Sequence, residues 1–143
     1  MSGMTTNPRQ RQAADPTASA WVSASAGAGK TTLLVSRVAR LLLAGTPPHK
    51  IQCLTYTKAA AAEMRNRIAR TLGRWASGRE ENLVAELTDL TGAAPDDETQ
   101  RRARRLFATV LDAPGGLRID TIHAFCQSAL TRFPVEAALA PHF

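Results

Sequence analysis

Ala24-Ser25-Ala26-Gly27-Ala28-Gly29-Lys30-Thr31 is the stretch that decides how this chain folds. Before it stands Ala20-Trp21-Val22-Ser23-Ala24-Ser25, short, apolar and tolerant of a β-strand. After it a helical pattern places Leu34, Val35, Val38, Leu41 and Leu42 on one face and Ser36, Arg37 and Arg40 on the other. A glycine-rich turn between a strand and a helix is the setting of a phosphate-binding loop. The glycines let backbone N–H groups turn toward phosphate oxygens, where a side chain would block approach. The helix starting near Lys30 aims the positive end of its dipole at the same anion. Lys30 puts a point charge on the terminal phosphates, and the Thr31 hydroxyl is a ligand for magnesium. The general pattern opens with glycine six positions before the lysine, whereas this chain has Ala24 there.

Outward from the loop, Gly45 and Pro47-Pro48 end the first helix. Ile51-Gln52-Cys53-Leu54-Thr55-Tyr56 is a second strand candidate. Ala61, Met64, Ile68, Leu72 and Trp75 then step by three or four along another helix. Strand, helix, strand, helix is the order of an α/β parallel sheet with crossover helices, and short apolar strands suit a sheet covered on both faces. Residues 77–116 break the rhythm with two helical patterns, Leu83, Val84, Leu87, Leu90 and then Ala103, Leu106, Phe107, Val110, Leu111. They read as a helical hairpin inserted between strands. Leu117-Arg118-Ile119-Asp120-Thr121 is the third strand candidate, and residues 122–133 the next helix, stopped by Pro134. Residues 1–19 are polar, contain Pro8 and Pro16, and read as a lead-in arm to a unit spanning 20–143. A sheet of so few strands is expected to expose edges and apolar faces.

A chain of 143 residues is the size of one domain, long enough for a core without staples. Hydrophobic residues at 44% and charged residues at 21% exclude a disordered tail, and the longest apolar run, residues 41–44, excludes a membrane span. The N-terminus lacks the apolar core of a signal peptide, so a cytoplasmic protein is expected. Cys53 and Cys126 lie far apart without a metal-ligand spacing and are expected to be buried free thiols. The net charge of +6 favours a polyanionic partner.

Ala24-x-x-Gly27-x-Gly29-Lys30-Thr31 resembles motif I of superfamily 1 helicases of the UvrD/Rep kind. Gln10, followed by Arg11-Gln12-Ala13-Ala14, resembles that family's Q motif. Residues 54–64, with Thr55-Tyr56-Thr57-Lys58, resemble motif Ia, and Thr121-Ile122-His123-Ala124-Phe125-Cys126 resembles motif Ib. Within the family the resemblance is to the AddA subunits of bacterial double-strand-break repair helicase-nucleases. It covers nearly the whole chain and is weakest across 77–112.

The resemblance implies a RecA-like P-loop NTPase fold, here part of motor domain 1A, with ATP and Mg2+ as cofactors. Gln10 would contact adenine, and residues Ala24, Ser25, Ala26, Gly27, Ala28, Gly29, Lys30, Thr31 and Thr32 would bind the nucleotide. Lys30 and Thr31 would serve catalysis, with Thr31 on the metal. Thr55, Tyr56, Thr57, Lys58, His123 and Phe125 would contact DNA. The implied activity is ATP-driven translocation on single-stranded DNA, starting from double-stranded ends, beside a second subunit of a helicase-nuclease complex. AddA subunits also carry a Walker B Asp-Glu, a second motor domain and a nuclease domain. Asp96-Asp97-Glu98 follows Ala93-Ala94-Pro95 instead of an apolar strand and is not read as Walker B. The chain is therefore expected to be an N-terminal piece, inactive alone. A small-molecule P-loop kinase and a non-catalytic nucleotide- or DNA-binding fragment are the competing functions.

Several residues also have plainer roles. Thr57 suits a helix N-cap. His123 has no identifiable carboxylate partner for catalysis. The run Arg101-Arg102-Ala103-Arg104-Arg105, like Arg65, Arg67, Arg70 and Arg74, is expected to be a solvated helix face, and Trp75 is expected in the core.

Overall fold

The computed structural model describes residues 7–25, 27, 29–134 and 136–137. Ala26 and Ala28 of the glycine loop lie outside the described residues. Six helices and two strands run in the order α1 (Pro8–Ala13), α2 (Lys30–Leu43), β1 (Gln52–Thr55), α3 (Lys58–Ser77), α4 (Glu80–Thr91), α5 (Asp97–Asp112), β2 (Arg118–Thr121) and α6 (Ile122–Arg132). The strands pair in parallel, Gln52 with Arg118 through Thr55 with Thr121. The crossover between them is the long α3 and the hairpin of α4 and α5, so the inserted helices predicted for 77–116 are present.

The apolar stripe of α3 is buried throughout: Ala61, Met64, Ile68, Leu72 and Trp75 are each at most 3% exposed. Val35, Val38, Ala39 and Leu42 of α2 meet it from one side, and Ala103 and Leu106 of α5 from another. Leu83, Leu87 and Leu90 of α4 complete this layer, and Ile119 of β2 joins it from the sheet. The Trp75 indole N–H donates to Glu86 Oε2 at 2.9 Å, which satisfies its one polar group inside the core. The same carboxylate takes the Arg74 guanidinium at 3.0 Å.

Four expectations need correction. Residues 20–25 form no strand. β1 and β2 take only each other as partners, so these residues have no ladder to join, and Trp21 is 96% and Val22 42% exposed. Among the described residues the sheet is covered on one face only. Ile119 is buried beneath it, while Gln52 and Leu54 of β1 face outward. α6 likewise buries none of its residues. The α2 stripe is rotated from the predicted one: Leu34 is exposed and Ser36 buried, and Leu111 at the end of α5 is exposed too.

The arginines correct the third expectation, because the polar faces are tied down rather than solvated. Arg102 donates to the Leu43 carbonyl at 3.0 Å and Arg104 to the Gly78 carbonyl at 3.0 Å, closing the C-terminal ends of α2 and α3. Arg101 pairs with Glu98 at 3.2 Å. Arg65 donates to the Ile119 carbonyl and so joins α3 to β2. The cysteines are the fourth. Both are free, but Cys126 is exposed and Cys53 only half-buried, enough for burial to push its thiol pKa up.

Candidate functional site

Gly27 and Gly29 hold φ of +79° and +80°, in the left-handed region that side chains rarely enter, so the loop does require glycine there. Gly29 is also the N-cap of α2 and offers the helix no side-chain cap. No acidic residue follows in the first turn of α2. The first N–H groups of that helix are thus left to an outside anion. Lys30 is exposed, and its ammonium donates to the carbonyls of Ala24 and Ser25, to the latter at 3.0 Å. Thr31 is half-buried in the same turn. Thr32, also half-buried, accepts from Arg67 Nη1 at 3.3 Å, and Arg67 pairs with Glu63 at 2.6 Å. This donor set fits a nucleotide triphosphate with its cation: a lysine, a hydroxyl, two left-handed glycines and an uncapped helix start.

Gln10 is brought to the loop from the arm. Its side-chain Nε2 lies 3.9 Å from the point a Cβ on Gly29 would occupy. Asn7 caps α1 and forms a capping box with Gln10, the Asn7 N–H donating to Gln10 Oε1 at 3.1 Å. The arm is in turn stapled to α2. Arg37 donates to the carbonyls of Ala13, Asp15 and Ala18, at 3.0, 2.8 and 2.6 Å, and Arg40 to that of Arg11 at 2.7 Å. These two arginines, read from the sequence only as a polar face, are the site-building residues it left unmarked. Their one signal was spacing: three apart, they lie on the same side of α2.

The second cluster is set by the sheet. Because Thr55 pairs with Thr121, the ends of β1 and β2 lie side by side, and α3 and α6 both start at that rim. Thr57 caps α3 through the Ala60 N–H at 3.1 Å, and Thr121 caps α6 through the Ala124 N–H at 3.2 Å. Thr55 Oγ1 donates to the Thr57 carbonyl at 3.1 Å and holds the turn between strand and helix. Tyr56 is 82% exposed, its ring standing clear of the sheet on which the plainer alternative would pack it. Lys58 and His123 are exposed, and Phe125 is 36% exposed. Neither first turn carries an acidic residue. The expected common rim therefore holds for these six residues. The phosphate loop joins it along the side of α3, through Arg67, about 2.5 turns into that helix. Among the described residues no group of three His, Cys, Asp or Glu is placed to hold a metal.

The UvrD/REP helicase N-terminal domain family matches residues 6–143, nearly the whole chain. The chain belongs to this family. Similar proteins include the AddA subunits of three bacterial ATP-dependent helicase/nucleases. That of Lactobacillus gasseri is 36% identical over 85% of this chain and 8% of its own length. That of Latilactobacillus sakei is 37% identical over 78% of this chain and 10% of its own. That of Enterococcus faecalis is 34% identical over 85% and 8%. The chain thus spans about a tenth of the length of these relatives. No solved structure matches it significantly. As a member of the UvrD/REP family it has a small parallel sheet among helices, and no helix among its described residues is long and apolar enough to cross a membrane.

Proposed function

We propose that this chain is the ATP-binding N-terminal part of an ATP-dependent DNA helicase-nuclease of double-strand-break repair. Its plan is a Q-motif arm, residues 1–19, and the first part of a RecA-like motor domain, residues 20–143, with a helical insertion at about 77–116. The observation that carries this function is the sheet register. It sets the two helicase motifs next to each other, each opening a capped helix that carries no carboxylate in its first turn.

Bound MgATP would supply the phosphoryl transfer to water that powers movement. Lys30 would turn from the Ala24 and Ser25 carbonyls to the terminal phosphates, Thr31 would hold the magnesium, and Gln10 would read the base. The remaining residues of 24–29, with Thr32, would line the phosphates. On the rim, the exposed Tyr56 ring would stack on a base of single-stranded DNA, an interaction that ignores sequence and suits a translocase. The starts of α3 and α6, with Thr55, Thr57, Lys58, His123 and Phe125, would follow the sugar-phosphate backbone. The names of the relatives support a nuclease in the same polypeptide, a second subunit, double-stranded ends as the entry point and a cytoplasmic location. A small-molecule kinase would have no use for an exposed tyrosine beside two helix starts.

ATP turnover by the whole protein, with and without single-stranded DNA, tests this function. DNA should stimulate turnover, and Lys30→Ala should abolish both turnover and unwinding. Full ATPase activity in Lys30→Ala would refute it, as would phosphate transfer to a metabolite without DNA stimulation.

A further inference from the structure

The six-residue α1 has no buried residue of its own, and a helix so short does not hold its place unaided. Of the arm's apolar side chains only Ala14 is fully buried. What fixes the arm is the planar fork of Arg37, which reaches three carbonyls, of Ala13, Asp15 and Ala18, in two successive turns of chain. The Asp15 carboxylate tightens the same bend. It accepts from the Thr17 N–H at 2.9 Å and the Thr17 hydroxyl at 2.7 Å, which hold its pKa below the ordinary value. At the other end of α1, the Asn7 N–H engages the carbonyl oxygen of the Gln10 amide, so its Nε2 is the atom that faces Gly29. An amide set in this sense keeps both N–H donors and one oxygen lone pair free. That is the complement of the N7 acceptor and N6 donor of adenine, whereas guanine offers two acceptors on the same edge.

We infer that Arg37 is a positioning residue for nucleobase selectivity: its three-carbonyl clamp holds the arm so that the oriented Gln10 amide stands beside the phosphate loop. The inference rests on the proposed ATP site. It predicts that the clamp governs which base is accepted and leaves the phosphates to Lys30 and the loop.

The test compares kcat/KM for ATP and GTP in the whole protein, together with inhibition by inorganic tripolyphosphate, which has no base. Arg37→Ala should lower the preference for ATP over GTP about tenfold, the worth of one lost base-directed pair of hydrogen bonds. Inhibition by tripolyphosphate should not change. Arg37→Lys, whose single ammonium reaches fewer carbonyls, should lose part of the preference, and it serves if the alanine variant does not fold. Gln10→Ala should lose as much as Arg37→Ala, and the double variant no more than either, because both act through one contact. An unchanged ATP preference in the Arg37 variants would overturn the inference. So would a loss of tripolyphosphate inhibition in step with ATP, which would mark a general loosening of the loop. A normal preference in Gln10→Ala would overturn it as well, leaving the phosphate loop intact as a site. Undiminished ATP and tripolyphosphate binding in Lys30→Ala would instead remove the ATP site itself.

Discussion

The inserted hairpin and the motif-bearing helices begin in opposite ways. α4 opens with Glu80 and Glu81, and α5 with Asp97 and Glu98 behind the Asp96 cap. α2, α3 and α6 have no acidic residue in their first turns. Carboxylates near a helix start complement its positive end, so the hairpin uses its own side chains to stabilise itself. The three helices that follow the glycine loop and the two strands forgo that gain. Their N-terminal fields stay open to an anion from outside, which is the electrostatic condition for binding phosphates. The surroundings differ in the same sense. The hairpin contributes Leu83, Leu87, Leu90, Ala103 and Leu106 to the core, while the rim presents Tyr56 and Phe125.

That contrast can be broken at several points. The largest effect belongs to the buried layer: Trp75→Ala should cost about 3–5 kcal/mol in the unfolding free energy read from denaturant curves, because a large cavity opens beside α4 and α5. Next comes the loop. Lys30→Ala should reduce ATP turnover by about a hundredfold or more, in line with removing one charge-stabilising donor, while the melting profile stays near that of the unmodified protein. Tyr56→Ala should weaken single-stranded DNA binding by about 1–3 kcal/mol without regard to sequence, measured by fluorescence anisotropy. Wild-type affinity would mean that the exposed ring has another purpose.

Smaller effects sharpen the comparison directly. Ala59→Glu gives α3 the acidic first turn that α4 and α5 already have. It should stabilise α3 by about 0.3–1 kcal/mol and weaken DNA binding through like-charge repulsion. Gains in both would show that the bare helix start is incidental. The mildest is a pH effect at Asp96, whose side chain accepts from the Thr99 N–H at 2.8 Å. Hydrogen bonding to Thr99 holds its pKa below the ordinary carboxylate value. A depressed folded-state pKa means that its stabilisation is complete above the unfolded value and is lost as pH falls through the folded one. Asp96→Asn keeps a cap but should remove that part of the acid sensitivity, seen as a shallower decline in melting temperature on acidification.

Much of the molecule could be read from one dimension. The α3 stripe, the hairpin, both paired strands and the Thr57 cap follow from local periodicity and spacing, which act over a few residues and need no partner. The glycine loop was legible because its chemistry demands residue types at fixed offsets. Segment 20–25 was misread because a strand exists only if another strand accepts its hydrogen bonds, and propensity carries no news of that partner. The arginines were misread for a related reason. A charge pattern tells that a face is polar, whereas Arg37, Arg102 and Arg104 find backbone carbonyls 22, 59 and 26 residues away in sequence.

By itself, then, the sequence determined which helices form, where each starts and what anion-binding chemistry the loop carries, since these depend on neighbours along the chain. Tertiary structure alone decided that Thr55 stands beside Thr121, that Arg67 ties the phosphate-loop helix to α3, and that the arm folds back to bring Gln10 to Gly29. These contacts join residues far apart in sequence, and only the packing of the buried layer selects which of them meet.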